Sequence, residues 1–444
     1  MAQFFKAKRT NSAKNHIIKD VHVEKVDHQG RGIAYFKNSP LFIEGGLVGE
    51  SLDIQIVENK KNYSTGVIKK VNRASVMRVA PTCPHYEECG GCQLQHLAQD
   101  NQIAIKLEGL QSLFKRFAKH QPLQLAQPII DDAWGYRRTA RFGVQFDNKS
   151  KKLKMGFRRS ASNDLIEQRV CPVLVPELAL FIQPLKNLLA NLQGKADLGH
   201  VELIYSDQGV VVLLRHMKNL SDADVAAIKA FATDHQINFF SQGSTRQVVC
   251  LVGQEKLTYQ LDEGQLSLSF AVTDFLQVNA KINQKMVTQA LQWLQLEAQD
   301  VVLDLFCGLG NFTLPMAQKV ARVVGVEGVQ KMVDRARFNA QLNDIDNSEF
   351  YQADLSADNL KKQPWSPLDF NKILLDPARA GAQDCMAFIA AKKPTHIVYV
   401  SCDPLTLARD SQILLEKGYK LAKLGLIDMF PQTKHVESMA LFLK

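Results

Sequence analysis

From about residue 270 onward the chain alternates short apolar runs with helical stretches, and this rhythm restricts the fold more than any other feature. VVLDLF (301–306), RVVGVE (322–327), SEFYQAD (348–354), KILLDP (372–377) and HIVYVSC (396–402) each read as a strand. Segments such as GVQKMVDRARFNAQLN between them carry helical periodicity. Strands separated by helices need parallel neighbours and right-handed crossovers, which predicts a doubly wound sheet with helices on both faces. The last runs, YKLAKLGLIDMF and SMALFLK, have no helix between them and predict an antiparallel pair at the end of the sheet. Ligands of such sheets sit outside the carboxyl ends of the strands. The residues that end the strands are therefore the candidate functional ones.

The first strand ends in Asp304-Leu-Phe306-Cys-Gly308-Leu-Gly310-Asn311, a turn whose glycines let a ligand approach the backbone closely. The third glycine of a dinucleotide pattern is missing. Glu327 ends the second strand, where an acid binds ribose hydroxyls. Together with Asp354 on the third strand and the antiparallel end, these fit S-adenosylmethionine better than NAD. Asp376-Pro-Ala-Arg379 ends the fourth strand, placing Asp376 against the methionine end of the cofactor or the acceptor base. Cys402 ends the fifth, just before Pro404 and a helical pattern. A thiol there lies near a helix N-terminus, whose partial positive charge favours thiolate. The plainer reading is a small core residue, since free cysteine is among the most buried types. Glu437, which precedes the last strand, matters only if it faces Cys402.

A chain of 444 residues exceeds what one core holds, and the patterns divide it into 1–74, 75–268 and 269–444. The content of 46% hydrophobic and 22% charged residues is that of a soluble protein, and no apolar run is long enough to span a membrane. The opening MAQFFKAKRT lacks the apolar core of a signal peptide, so the expected compartment is the cytoplasm. Charge is uneven. Residues 1–80 hold 14 Lys/Arg against 7 Asp/Glu and residues 134–170 hold 10 against 3, although the whole chain carries only +9. Two basic islands with aromatics nearby (Tyr35, Phe36; Trp134, Tyr136, Phe142) on an acidic remainder imply a nucleic-acid partner.

Residues 1–15 read as a basic, mobile arm, and residues 17–71 as five short strands of an OB-type barrel. Then come Cys83, Cys89 and Cys92, with Gly90 and Gly91 between, and a remote Cys171 before Pro172. Four thiolates can hold zinc or a 4Fe–4S cluster. Structural zinc usually takes two short pairs, so three close cysteines plus one remote favour the cluster. The segment between barrel and catalytic sheet mixes helices with strands, among them a basic hairpin, TARFGVQF and KLKMGFRRS.

DLFCGLGNF, LLDPARAG, YVSCDP and HVESM, in this order, resemble the RNA uracil-C5 methyltransferases. Phe275-Leu-Gln277-Val-Asn279 is similar to that family's F-x-Q-x-N stretch. The resemblance covers nearly the whole chain. It implies a multidomain α/β protein with an N-terminal TRAM barrel, a mixed central iron–sulfur domain and a C-terminal Rossmann-like class I methyltransferase domain. It implies Cys402 as nucleophile and Glu437 as base. Gln277, Phe306, Asn311, Glu327, Asp354 and Asp376 would bind S-adenosylmethionine, and Cys83, Cys89, Cys92 and Cys171 would ligate a 4Fe–4S cluster. The form with both barrel and cluster resembles the members acting on 23S ribosomal RNA, working as monomers away from membranes.

The chemistry needs these residue types. Uracil C5 is too weak a nucleophile to attack a methyl sulfonium unaided. A thiolate adding at C6 moves electron density onto C5, and a base must later remove the C5 proton. Other readings are a transfer-RNA methyltransferase, a non-catalytic RNA-binding assembly factor, and a DNA cytosine-C5 methyltransferase. The last places its thiol in a Pro-Cys pair after the fourth strand, where this chain has Asp376-Pro377.

Overall fold

The computed structural model describes residues 17–27, 29–117, 125–355 and 357–444. The expected basic arm over 1–15 lies outside them. The chain divides into two compact units, Met1–Pro81 with Gln93–Gly109, and Thr82–Cys92 with Leu110–Lys444.

The first unit holds six strands, β1 (Ile17–His22), β2 (Lys25–Val26), β3 (Gly32–Phe36), β4 (Ser39–Glu44), β5 (Ser51–Asn59) and β6 (Ser64–Arg73). They form one sheet in the order β1-β5-β6-β4-β3-β2. The first expected strand is two, because it changes partner midway: β1 pairs with β5 and β2 with β3. At the break, the Val23 and Glu24 amides donate to the carbonyls of Glu50 and Ile33. Lys37 and Asn38 both have positive φ, which suits the tight turn joining β3 to β4. Alternate residues, Ala34, Leu41, Ile43, Leu52 and Ile54, form the core.

Helix α1 (Gln99–Phe117) crosses the division between the units. The second unit begins with a sheet of β7 (Thr139–Asp147), β8 (Lys152–Gly156), β9 (Leu198–Ser206), β10 (Gly209–His216), β11 (Asn238–Gln242) and β12 (Val248–Val252), ordered β12-β11-β10-β9-β7-β8. Helices α2 (Pro176–Ala179), α3 (Ile182–Asn191) and α4 (Asp222–Asp234) cover one face, burying Leu178, Ile182, Leu185, Leu189 and Ile228 against Phe142, Val201 and Val212. A hairpin, β13 (Leu257–Leu261) and β14 (Leu266–Phe270), leads to helix α5 (Ala280–Leu294).

The remaining elements are β15 (Val301–Leu305), α6 (Thr313–Ala317), β16 (Arg322–Glu327), α7 (Gln330–Leu342), β17 (Ser348–Gln352), α8 (Ala357–Leu360), β18 (Lys372–Leu375), α9 (Gln383–Lys392), β19 (His396–Ser401), α10 (Pro404–Glu416), β20 (Lys420–Ile427) and β21 (Glu437–Leu443). The seven strands lie in the order β17-β16-β15-β18-β19-β21-β20. The five from β15 to β19 are parallel, as the alternation predicts. The final strand, β21, enters antiparallel between β19 and β20. Buried residues of α5, α6 and α7 pack on one face, and those of α8, α9 and α10 on the other.

One buried carboxylate fixes the helix that follows Cys402. Asp410 on α10, wholly buried, accepts from the Tyr399 hydroxyl of β19 at 2.7 Å and from the Ala382 amide at 2.7 Å. It also pairs with Arg409 at 2.7 Å. Strand, helix and the loop after Asp376 thus share one anchor, and losing it would leave buried donors unmet.

Candidate active site

Register alone brings Cys402 and Glu437 together. In the antiparallel pair β19/β21, Ser401 is matched with Ser438. The next residues outward, Cys402 and Glu437, therefore face each other at the strand ends. Asp376 follows β18, whose Leu375 is matched with Tyr399 of β19. All three side chains lie at the carboxyl edge of the sheet.

Their electrostatics follow from burial. Glu437 is 3% exposed, and among the described residues its Oε2 has no hydrogen-bond partner. Burial first, and then the charge of Asp376, push its pKa well up. Burial does the same to Asp376. Two carboxyls so placed cannot both ionise easily. The Cys402 thiol is pushed up to about 11, first by burial and then by Glu437 and Asp376, with Arg379 opposing. Burial and the two carboxyls thus oppose the thiolate that the helix N-terminus would favour. The physical reason is local. Asp403 caps α10, its carboxylate accepting from the amides of Leu405 at 3.0 Å and Thr406 at 3.4 Å, so the helix end already has its anion.

The first glycine turn is built for close approach. Phe306 is held at φ +64°, a strained value for an aromatic residue, with its amide bound to the Val326 carbonyl. Gly308 and Gly310 follow with φ +55° and +101°. Glu327 accepts from the amides of Gly308 at 3.2 Å and Val329 at 3.0 Å, linking this turn to the end of the second strand. Phe306, Glu327 and Asp354 line one cavity of about 440 Å³, together with Ala353, Leu355 and Gly381. Gln277, Asn311 and Asp376 do not line it. Asn311 instead exchanges two amide hydrogen bonds of 2.9 Å with Asn283 and accepts from the Tyr259 hydroxyl at 3.1 Å.

Sequence reasoning missed the residues that hold this turn from a distance. Arg138, 5% exposed, donates through Nε to the Gln277 carbonyl at 2.8 Å and stacks on the Tyr259 ring at 4.6 Å. Nothing local marks Arg138 out from Arg137 beside it. Asn283 was equally hidden, being one polar residue on an otherwise amphipathic helix.

Cys83, Cys89 and Cys171 are buried, and Cys92 is partly so. Burial and the neighbouring Cys92, Cys83 and Cys89 push the Cys171 thiol up to about 12, which places the four in one neighbourhood. The Gly90 amide donates to the Arg158 carbonyl, and the Gly91 amide to Cys89 Sγ at 3.4 Å. A Cβ at Gly91 would stand 3.4 Å from that sulfur. Among the described residues no group of three or more His, Cys, Asp or Glu could hold a metal ion. Four thiols in one neighbourhood have the chemistry to ligate zinc or a 4Fe–4S cluster.

A seven-stranded, doubly wound sheet with a reversed final strand and a glycine-turn crevice defines a methyltransferase. The chain belongs to the RNA uracil-C5 methyltransferase family: the family model described as tRNA (uracil-5-)-methyltransferase matches residues 98–444, and a TRAM domain matches 18–69. It is 67% identical over 442 residues to the 23S rRNA (uracil(1939)-C(5))-methyltransferase RlmD of Psychromonas ingrahamii, covering 100% of both chains. To the protein of the same name from Shewanella halifaxensis it is 47% identical, covering 100% of this chain and 99% of that one. The solved tRNA (uracil-54, C5)-methyltransferase of Pyrococcus abyssi, in complex with S-adenosyl-L-homocysteine, superposes with a TM-score of 0.72 at 23% identity. That match covers 96% of this chain and 100% of the other, and shows a shared fold. No helix among the described residues is long and apolar enough to cross a membrane.

Asp304 yields a test of this electrostatic picture. Burial raises its pKa to about 8, the charges of Asp376 and Glu327 adding and the Thr313 hydroxyl opposing. An acid whose pKa is raised on folding stabilises the fold while protonated. That contribution is complete below the unfolded value near 4 and is lost as pH rises through about 8. The ligand-free protein should therefore melt at lower temperature as pH rises across this window. Asp304→Asn should make that decline shallower by about one proton and should melt higher than wild type at alkaline pH. An identical decline in wild type and variant, measured by thermal melts, would contradict the assignment.

Proposed function

We propose that this chain transfers the methyl group of S-adenosylmethionine to C5 of one uridine in 23S ribosomal RNA, through a covalent bond between Cys402 and uracil C6. The observation that carries the reading is the Cys402–Glu437 pair facing across the β19/β21 register, in a chain alike over its whole length to enzymes named for that reaction.

Glu327, Phe306 and Asp354 would hold the adenosine end of the cofactor, and Gln277, Asn311 and Asp376 its methionine end and the target base. The cofactor supplies a methyl group on a positively charged sulfur. Everything else falls to the protein. Cys402 loses its proton to water and its sulfur bonds to C6, as the C5=C6 pair shifts toward C4 and leaves an enolate across C4–C5 with its negative charge on O4. C5 takes the methyl group with the enolate electron pair. The Glu437 carboxylate then removes the C5 proton, and those electrons re-form the C5–C6 double bond as the sulfur–C6 bond breaks. Burial serves the last step, because a carboxylate held above its usual pKa is a stronger base. The base must leave its stack to reach Cys402, at a cost of about a few kcal/mol.

The functional division is 1–74 as an RNA-binding OB-type barrel, 75–268 as a cluster-bearing domain and 269–444 as the catalytic domain, in a monomer of the cytoplasm. Purified protein should methylate a 23S fragment at one uridine and transfer RNA much more slowly, and Cys402→Ala should reduce transfer to background. Equal turnover of transfer RNA would move the substrate elsewhere. Full activity in Cys402→Ala would refute the covalent route.

Cys83, Cys89, Cys92 and Cys171 would hold a 4Fe–4S cluster pinning two distant segments together. Protein purified without oxygen should be brown and contain iron and sulfide in equal amounts, and Cys171→Ser should bleach it. Stoichiometric zinc without iron would overturn this reading.

A further inference from the structure

The sheet β12-β11-β10-β9-β7-β8 changes character across the face that α2, α3 and α4 leave uncovered. Ile204 beside Val211, and Leu213 beside Phe240, are buried in the core beneath the β13/β14 hairpin. Toward the strand ends the same face turns basic. Arg141 is matched with Glu202, and Arg215 lies between His200 on β9 and Gln242 on β11. With Arg246 from the turn after β11, they join Thr273, Asp274 and Phe275 to line an open groove of about 570 Å³.

The charges in this groove are not mutually satisfied. Arg141, half exposed, pairs with Glu202 at 2.8 Å. Asp274 is already engaged, accepting from the Ala271 amide at 2.7 Å and lying 3.5 Å from both Lys331 and Arg335. Arg215 and Arg246 have no ion-pair partner among the described residues. Arg246 sits at φ +63°, a left-handed value for a non-glycine residue. Phe275 in the groove lining is 71% exposed and stands two residues before Gln277, whose carbonyl Arg138 holds.

We infer that this groove binds the phosphodiester backbone of the single-stranded RNA flanking the target uridine, through Arg215, Arg246 and Arg141. The inference rests on the proposed function. Arg141 and Arg215 project from strands two apart, about 10 Å across the sheet and offset by two residues along it, so they would meet non-adjacent phosphates of one strand. Guanidinium groups fixed on a strand ladder meet phosphate oxygens through paired hydrogen bonds. These contacts position the strand and read no sequence.

The test measures binding of a single-stranded 23S fragment by fluorescence anisotropy across salt concentrations, alongside methylation kinetics. The Arg215→Ala, Arg246→Ala double variant should weaken binding about tenfold and flatten the slope of log affinity against log salt by about 1.4, since single strands lose about 0.7 per phosphate contact. S-adenosylmethionine affinity and kcat at saturating RNA should stay near wild type, and the double lysine variant should recover most of the slope. Wild-type affinity and slope in the alanine variant would overturn the inference, as would a fall in kcat with the slope unchanged. Failure of the wild type to methylate the fragment would instead count against the proposed function, and the binding measurements would still decide the role of the groove.

Discussion

The catalytic end of the molecule depends on the insertion of its last strand. Had β21 merely extended the sheet beyond β20, Glu437 would lie two strands from Cys402. Placed antiparallel against β19 with Ser401 opposite Ser438, it brings a carboxyl directly across from the thiol. The insertion also surrounds that carboxyl with protein, and burial produces the raised pKa values of Glu437, Asp376 and Asp304. The ligand-free crevice thus gathers buried acids whose negative forms are disfavoured until a positive charge enters.

The thiol shows which effect wins. A helix terminus is worth about 0.3–1 kcal/mol to a nearby charge. Against that effect, the Cys402 thiol is pushed up to about 11. Burial and two carboxyls therefore outweigh the helix, whose amides Asp403 already occupies.

Much of this was legible in the sequence because it is local. The parallel strands announce themselves as apolar runs between helical stretches, and the strand-end residues Asp304, Glu327, Asp376 and Cys402 follow from them. The family's motifs nominated Glu437, yet its facing of Cys402 is a register between segments 35 residues apart. The hold of Arg138 on Gln277, the amide pair of Asn283 with Asn311 and the Asp410 anchor are all long-range contacts. No spacing encodes them. The break of the first strand at Val23 was missed for a similar reason, since the alternation continues while the hydrogen-bonding partner changes.

The most direct measurement of the central claim uses Glu437→Gln. With the base removed, Cys402 can still add and C5 can still take the methyl group, but the C5 proton stays and the sulfur–C6 bond cannot break. Incubated with 23S RNA and S-adenosylmethionine, this variant should give a protein–RNA band that survives denaturing electrophoresis. The band should require the cofactor and vanish in the Cys402→Ala, Glu437→Gln double variant. Full turnover by Glu437→Gln with no trapped species would contradict the account, because the pair that the final strand brings together would then not be carrying the reaction.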